Sequence, residues 1–261
     1  MPRFRLLIEY DGTRYSGWQV QRNARTVQGE VIQAVQTVTG RRDRLEVYGA
    51  GRTDAGVHAL GQVAHLDVAT SLPPATLLHR LNDALPRDIT IVDLRTVGHR
   101  FHARHDAVAR RYVYQVSRRR SAFAKPFVWW VRERLDVEAM RRGAAAFVGR
   151  LDFEAFSDDD ARDKSTTVQV DAVEIAEDGA LVLIRVTGSH FLWRMVRRMV
   201  GVLVQVGTGQ LREREVVRLL ASNGEDVARM TAPAAGLFLE QVIYPGEAFD
   251  DTAAGPMRLR R

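Results

Sequence analysis

The hydrophobic pattern divides the chain into two similar runs. In the first, Arg3–Tyr10 reads as a strand stopped by the turn pair Asp11-Gly12. Thr26 stands where an N-cap should for a helix to Thr39, with Val27, Val31, Ala34, Val35 and Val38 on one face and Gly40 at its end. Residues 45–48 and 62–68 alternate as strands, the second with Ala64, Leu66 and Val68 on one face. Pro73-Pro74 opens a helix over residues 75–85 that turns Leu77, Leu78, Leu81 and Leu85 inward, and 89–94 is a further strand.

The second run repeats that order. Residues 107–117 alternate, with Val108, Arg110, Tyr112, Tyr114 and Val116 on one face and Ala109, Arg111, Val113 and Gln115 on the other. Asp136 caps a helix to Val148, where Leu135 and Met140 have the spacing of a hydrophobic staple and Gly149 ends the turn. Segments 167–176 and 180–187 form a hairpin around Asp178-Gly179. A helix over 190–206 has an apolar face of Leu192, Met195, Val196, Met199, Val200 and Leu203, while Arg194, Arg197, Arg198 and Gly201 lie opposite, where a solvated face is the ordinary expectation. A short helix over 213–221 precedes a last strand ending at Tyr244-Pro245, and 246–261 reads as a mobile basic tail. Strand, helix, strand, strand, helix, strand thus occurs twice, without residue-level identity. The pattern predicts an α+β fold of two tandem ferredoxin-like (βαββαβ) halves, 1–105 and 106–245, whose mixed, mostly antiparallel sheets join around a central cleft.

Composition narrows the classes. With 261 residues, 46% apolar and 27% charged, the chain can bury a sizeable core, and no apolar run approaches a membrane span. A cytoplasmic protein is the simplest reading. Zero cysteines exclude disulfides and thiolate-held metals. The net charge of +6 fits an acidic polymer as partner. Arginine is abundant everywhere, however, since only Lys125 and Lys164 are lysine, so a run such as Arg118-Arg119-Arg120 carries less weight than usual.

The candidate chemistry centres on Gly51-Arg52-Thr53-Asp54-Ala55-Gly56-Val57-His58, a loop between two strands with glycine at 49, 51, 56 and 61. Such a backbone turns sharply and lets a partner approach closely. Asp54 is either a loop-mounted nucleophile kept ionised by a nearby cation or a turn residue capping backbone amides. Elsewhere, Tyr112 is either a stacking platform or strand packing, and His102 a ligand, a proton carrier or an ordinary connecting residue. Asp158-Asp159-Asp160 reads as a solvated loop, because consecutive side chains do not converge on one ion.

The eight residues from Gly51 to His58 resemble the active-site motif of the TruA-type tRNA pseudouridine synthases. Further stretches resemble the same family in order: Glu9-Tyr10-Asp11-Gly12, Gly17-Trp18-Gln19, Thr26-Val27-Gln28-Gly29, Phe101-His102-Ala103-Arg104, Arg110-Arg111-Tyr112-Val113-Tyr114, Leu151 to Ser157, Met195 to Gly201, and Thr231 to Leu239. Phe238 stands where the family often has tyrosine, which keeps an aromatic surface and loses a hydroxyl.

The resemblance implies isomerisation of uridine to pseudouridine at positions 38, 39 and 40 in the anticodon stem-loop of tRNA. No metal and no other cofactor is implied, and the implied assembly is a homodimer. It implies Asp54 as the catalytic carboxylate, Tyr112 against the target base and Arg197 reaching the carboxylate. Arg52 would hold the strand open, and Leu237 would belong to the uracil pocket. Two other readings remain: a non-catalytic RNA-binding protein on the same scaffold, and a metal-dependent nuclease built on Asp54, His58, His65 and Asp67.

Overall fold

A computed structural model describes residues 1–41, 45–158, 165–250, 255–257 and 259. The fold is α+β and divides into two compact units, 1–108 with 239–249, and 109–238 with 250–261.

In the first unit β1 (Arg3–Tyr10), β2 (Val47–Gly49), β3 (His58–Asp67) and β4 (Ile89–Val97) form an antiparallel sheet in the order β4-β1-β3-β2. Helices α1 (Val27–Thr39) and α2 (Pro74–Ala84) supply the crossovers, so the unit is a split βαβ sheet of ferredoxin type. Local chemistry sets the ends of α1. Thr26 Oγ1 accepts the Gly29 N–H at 3.3 Å, and Gly40 closes the helix at φ +70°. Val27, Val31, Leu77 and Leu81 are wholly buried, each side chain contributing roughly 1.5–3 kcal/mol of transfer free energy.

In the second unit β5 (Ala109–Ser117), β8 (Thr167–Asp178) and β9 (Leu181–Gly188) pair antiparallel in the order β5-β9-β8, which repeats β1-β3-β2. Two short strands extend it: β6 (Trp129–Trp130) runs parallel to β5, and β7 (Gly149–Asp152) pairs with β8. Its helices are α3 (Val137–Ala144), α4 (Met195–Gly207), α5 (Val216–Leu220) and α6 (Glu225–Arg229). Phe147, Phe153 and Phe156 pack as a triad with centroids 5.3–6.4 Å apart in its core.

The two units divide the C-terminal residues differently from the expected 106–245 half and tail. Strand β10 (Leu237–Ile243) begins in the second unit and passes into the first at Leu239. The bonds that draw it there are specific: Val108 N–H donates to the Ile243 carbonyl at 2.9 Å, and Tyr244 Oη donates to the Ala103 carbonyl at 2.6 Å. Arg5 lies 4.6 Å from the Tyr244 ring and pairs with Glu247 at 2.5 Å. Part of the tail is docked rather than loose, since Ala180 N–H reaches the Leu259 carbonyl at 2.9 Å and Met257 N–H reaches Gln115 Oε1 at 3.0 Å. Residues 251–254, 258, 260 and 261 of that expected mobile tail lie outside the described residues, as do Asp159 and Asp160 of the acidic loop.

Helix α4 starts five residues later than the periodicity suggests. Arg194 precedes it with φ +63°, a left-handed conformation unusual for a side-chain-bearing residue, and its guanidinium pairs with Asp158 at 2.9 Å. The face expected to be solvated is so only at Arg194, with Arg197 half-buried and Gly201 buried. Arg198 is buried, donating to the Ser157 carbonyl at 2.6 Å and pairing with Asp158.

His65 in β3 is a pH-sensitive element of the first unit. It is buried, accepts the Ala103 N–H on Nδ1 at 3.1 Å, and stacks on Tyr48 at 5.0 Å. Burial first, then the charges of Arg3 and His102, push its pKa down to about 4, against weaker upward pulls from Asp67 and Asp106. The unfolded chain binds that proton near pH 6.5, so the stability from a neutral His65 is complete above about 6.5 and is lost as pH falls toward 4. Urea unfolding at pH 7 and pH 4.5 should show this loss. It should shrink in His65→Asn, which keeps an acceptor and cannot titrate; an unchanged pH dependence would remove His65 as its source.

Candidate active site

The Asp54 loop is held by backbone contacts before any side chain of the motif is considered. The N–H of Trp18 donates to the Thr53 carbonyl at 3.1 Å, and the Gly56 N–H donates to the Tyr15 carbonyl at 3.3 Å. Gly17 has φ +89°, and a Cβ there would stand 2.4 Å from the Thr53 carbonyl oxygen. Gly12 is tighter still, with Val57's carbonyl oxygen 1.9 Å from where a Cβ would be. The two glycines of the opening segment are therefore required by the approach of one main chain to another.

Side chains complete the clamp. Tyr10 Oη and Thr53 Oγ1 share a buried hydrogen bond of 2.8 Å. Burial drives the Tyr10 phenol pKa upward, so it remains a neutral hydroxyl. Gln62 Nε2 donates to the Gly51 carbonyl at 2.9 Å, and His58 Nδ1 accepts the Gly12 N–H at 3.0 Å. Trp18 is fully buried with its indole against Gly49, and its carbonyl accepts the Gln28 N–H at 3.0 Å, fastening the loop's support to α1.

Thr53 and Val57 are the buried anchors, whereas Asp54 is half-buried and Arg52 exposed. The turn across Asp54–Val57 closes through the backbone, with Val57 N–H donating to the Asp54 carbonyl at 3.1 Å and Gly56 at φ +77°. The main chain is thus fixed on either side of Asp54, at Thr53 and at Gly56.

Of the other residues singled out from the sequence, Tyr112, Arg197 and Leu237 fall in the second unit. Tyr112 on β5 is exposed over only 8% of its surface and meets the Phe191 ring edge-on at 5.3 Å. Tyr114, two residues on, is fully buried and donates to the Pro233 carbonyl at 2.8 Å. Its phenol pKa is raised by burial, with the Arg197 charge acting in the opposite sense. Arg197 is itself tied to the 231–238 stretch: its Nε donates to the Ala232 carbonyl at 2.8 Å, and its own carbonyl accepts the Ala232 N–H at 3.1 Å. That reciprocal pair needs α4 to lie against the stretch. Gly201 permits it, since a Cβ there would be 1.7 Å from the Met230 carbonyl oxygen. Leu237 and Phe238 follow, both buried. Within this unit the structure therefore joins Tyr114, Arg197 and the segment entering β10, while the ring contact of Tyr112 is with Phe191.

The residues of the nuclease reading are otherwise engaged. His58 supports Gly12, His65 supports Ala103, and Asp67 makes a two-pronged pair with Arg3 at 2.7 and 2.5 Å. Among the described residues no group of three or more histidines and carboxylates is arranged to hold a metal ion. His102 is a structural residue as well: its Nδ1 accepts the N–H groups of Arg104 and His105 at 3.1 and 3.2 Å. Sequence reasoning missed Tyr10, Gln62 and Gly17 as supports of Asp54. Only the glycine could have been suspected, from its place beside the tryptophan.

Comparison with known proteins gives a consistent result. A family described as tRNA pseudouridine synthase matches residues 6–106 and 144–245. The chain is 41% identical to tRNA pseudouridine synthase A of Rhodopseudomonas palustris (strain BisA53) over 247 residues, 94% of this chain and 100% of that one. It is 39% identical to the protein of that name from Acetivibrio thermocellus over 246 residues, again 94% and 100%. Among solved structures, the archaeal box H/ACA sRNP Nop10–Cbf5 complex aligns with 88% of this chain and 61% of that chain at 14% identity and a TM-score of 0.32, too slight a likeness to bear on the site.

The clamp makes a direct prediction. Gly17→Ala adds a left-handed strain of roughly 1–2 kcal/mol and also drives Thr53 away, a displacement of a kind that can cost about 10²-fold in rate. Gly40→Ala is its control, because Gly40 has φ +70° yet nothing lies within 4 Å of a Cβ there. Both variants should melt at lower temperature, but only Gly17→Ala should lose turnover. Equal single-turnover rates in the two would mean that the Gly17–Thr53 contact does not position the loop.

Proposed function

The chain belongs to the tRNA pseudouridine synthase family, and from that premise we propose that it isomerises uridine to pseudouridine at positions 38, 39 and 40 of the tRNA anticodon stem-loop, with Asp54 as the reacting carboxylate. The observation that carries the residue assignment is the clamped loop: the backbone on both sides of Asp54 is fixed by the Tyr15–Trp18 segment, and its side chain lies outside the buried anchors. A carboxylate held this way is preorganised, which suits chemistry better than a flexible turn would.

The reaction breaks the N1–C1′ bond, turns the uracil and joins C5 to C1′. The proton lost from C5 is balanced by the one gained at N1, so atoms are conserved and no redox step occurs. Asp54 can act at C1′, at C6 or on the 2′-proton, and each route needs its negative charge. The target base must leave its stack, at a cost of a few kcal/mol. Arg52, exposed on the same loop, is assigned to the opened strand. Tyr112 is assigned to the extruded base, where stacking would return about 1–3 kcal/mol. Arg197 is assigned to the Asp54 carboxylate and Leu237 to the uracil pocket. The reading includes a homodimer acting in the cytoplasm. Among the described residues no helix is long and apolar enough to cross a membrane.

Purified protein incubated with unmodified tRNA in EDTA and monovalent salt should form pseudouridine at 38, 39 and 40, mapped position by position. RNA binding without any pseudouridine would favour the non-catalytic reading, and strand cleavage restored by one divalent metal would favour the nuclease. Tyr112→Phe should keep most tRNA affinity and turn over more slowly, whereas a Tyr112 that only packs the strand would leave the rate unchanged.

A further inference from the structure

The segment joining β5 to α3 has no part in the site described above, yet it is strongly basic. Residues 118–134 contain Arg118, Arg119, Arg120, Lys125, Arg132 and Arg134 against the single carboxylate of Glu133, a net of +5 (six minus one), while the whole chain carries +6. The segment is therefore strongly basic for its length.

The same segment presents large aromatic surface. Phe123 is 91% exposed and Trp130 is 42% exposed, with the Arg120 guanidinium 5.9 Å from the Trp130 ring. An unburied Phe forgoes the transfer free energy that a packed one would gain. The loop is anchored despite its exposed tip. Ala124 is wholly buried, and its N–H donates to Ser121 Oγ at 3.2 Å. The Phe127 carbonyl accepts from Gln115 Nε2 at 2.9 Å, and Val131 N–H returns to the Ser117 carbonyl at 3.0 Å. Phe123 is thus held out on a supported loop.

Arg118 and Arg132, near the two ends of this segment, also line a groove of about 1240 Å³ together with Arg134, Arg142, Arg212 and Arg214. Two of its arginines are spent on its carboxylates, Arg118 on Glu177 and Arg142 on Glu213, and Glu138 pairs with Arg141. Arg132, Arg134, Arg212 and Arg214 are exposed, with Glu133 and Asp136 as the groove's other carboxylates.

We propose that the Phe123 loop and this arginine-lined groove form a second tRNA-contact surface, in which Phe123 and Trp130 stack on unpaired or terminal bases and the arginines take backbone phosphates. Aromatic rings interleaved with cations match a nucleic acid better than a protein surface, because every base offers a face for stacking and every linkage a charge.

This inference rests on tRNA being the substrate, and its test separates the two. Wild type, Phe123→Ala and the pair Arg132→Glu/Arg134→Glu are compared for tRNA Kd over a range of KCl concentrations, for single-turnover pseudouridine formation at saturating tRNA, and by sedimentation. Phe123→Ala should raise Kd about 5- to 100-fold. The charge-reversed pair should raise it further and flatten the log Kd–log salt slope by about 0.7–0.9 for each phosphate that is no longer neutralised. In both, the effect should fall on Kd rather than on the rate of the bound complex. A Kd within twofold of wild type in both variants overturns the proposal while leaving the isomerase reading intact. So does unchanged RNA binding with altered sedimentation, which would make the patch a self-association face. A wild-type protein that neither binds nor modifies tRNA defeats both readings together.

Discussion

The contact on which the Asp54 loop depends is the approach of the Gly17-Trp18 main chain to Thr53, where the Trp18 N–H meets the Thr53 carbonyl at 3.1 Å. Around it the other supports fall into place. Tyr10 at the end of β1 bonds Thr53 through its hydroxyl, Gln62 on β3 bonds Gly51, and Trp18 passes the load to α1 through Gln28. Several elements of the split βαβ sheet thus converge on Gly51 and Thr53 of one loop. Ordering a loop costs roughly 1–2 kcal/mol per residue in backbone entropy. Here that cost is met by the hydrogen bonds from Tyr10, Trp18 and Gln62, so the backbone that carries Asp54 is already ordered.

The second unit solves a related problem with a helix. Gly201 lets α4 touch the Met230 carbonyl, and this closeness allows Arg197 to exchange two hydrogen bonds with Ala232. Arg198, one residue on, is consumed by Ser157 and Asp158 in the fold itself. Adjacent arginines on one helix therefore have different duties, one fixing the 157–158 loop and the other standing beside Tyr114 and the segment that enters β10. Burying a guanidinium is costly unless its donors are met, and the two terminal nitrogens of Arg198 reach the Ala155 and Ser157 carbonyls and the Asp158 carboxylate, while its Nε is buried without a partner among the described residues.

Much of this was legible in the sequence because local signals and fold agreed. Thr26 and Gly40 bracket α1 as their types require, and Asp178-Gly179 turns the β8–β9 hairpin, with Gly179 at φ +59°. The motif around Asp54 marked the loop, and its glycines announced close approaches without revealing to what. Other features depended on tertiary context. The arginine face of α4 looked solvated because periodicity reports which residues share a side and not what covers it. The late start of α4 rests on Arg194 in a left-handed conformation, which propensity does not foresee. Strands β6 and β7 are too short to show alternation, and β10 changes units because of bonds made to Ala103 and Val108, far away in sequence. The Gly17–Thr53 and Gly12–Val57 contacts span 36 and 45 positions by residue number and left no pattern to read.

The central claim is that the clamped loop exists to hold the Asp54 carboxylate. Its most direct test is single-turnover pseudouridine formation by Asp54→Asn at saturating tRNA, with tRNA affinity and melting temperature measured in parallel. Asparagine keeps the size and most of the hydrogen bonding and removes only the charge. The account predicts normal binding and folding with a rate lowered by more than about 10³-fold, equivalent to roughly 4 kcal/mol of transition-state stabilisation. An Asp54→Asn protein that binds tRNA normally and forms pseudouridine within a few-fold of the wild-type rate would contradict it.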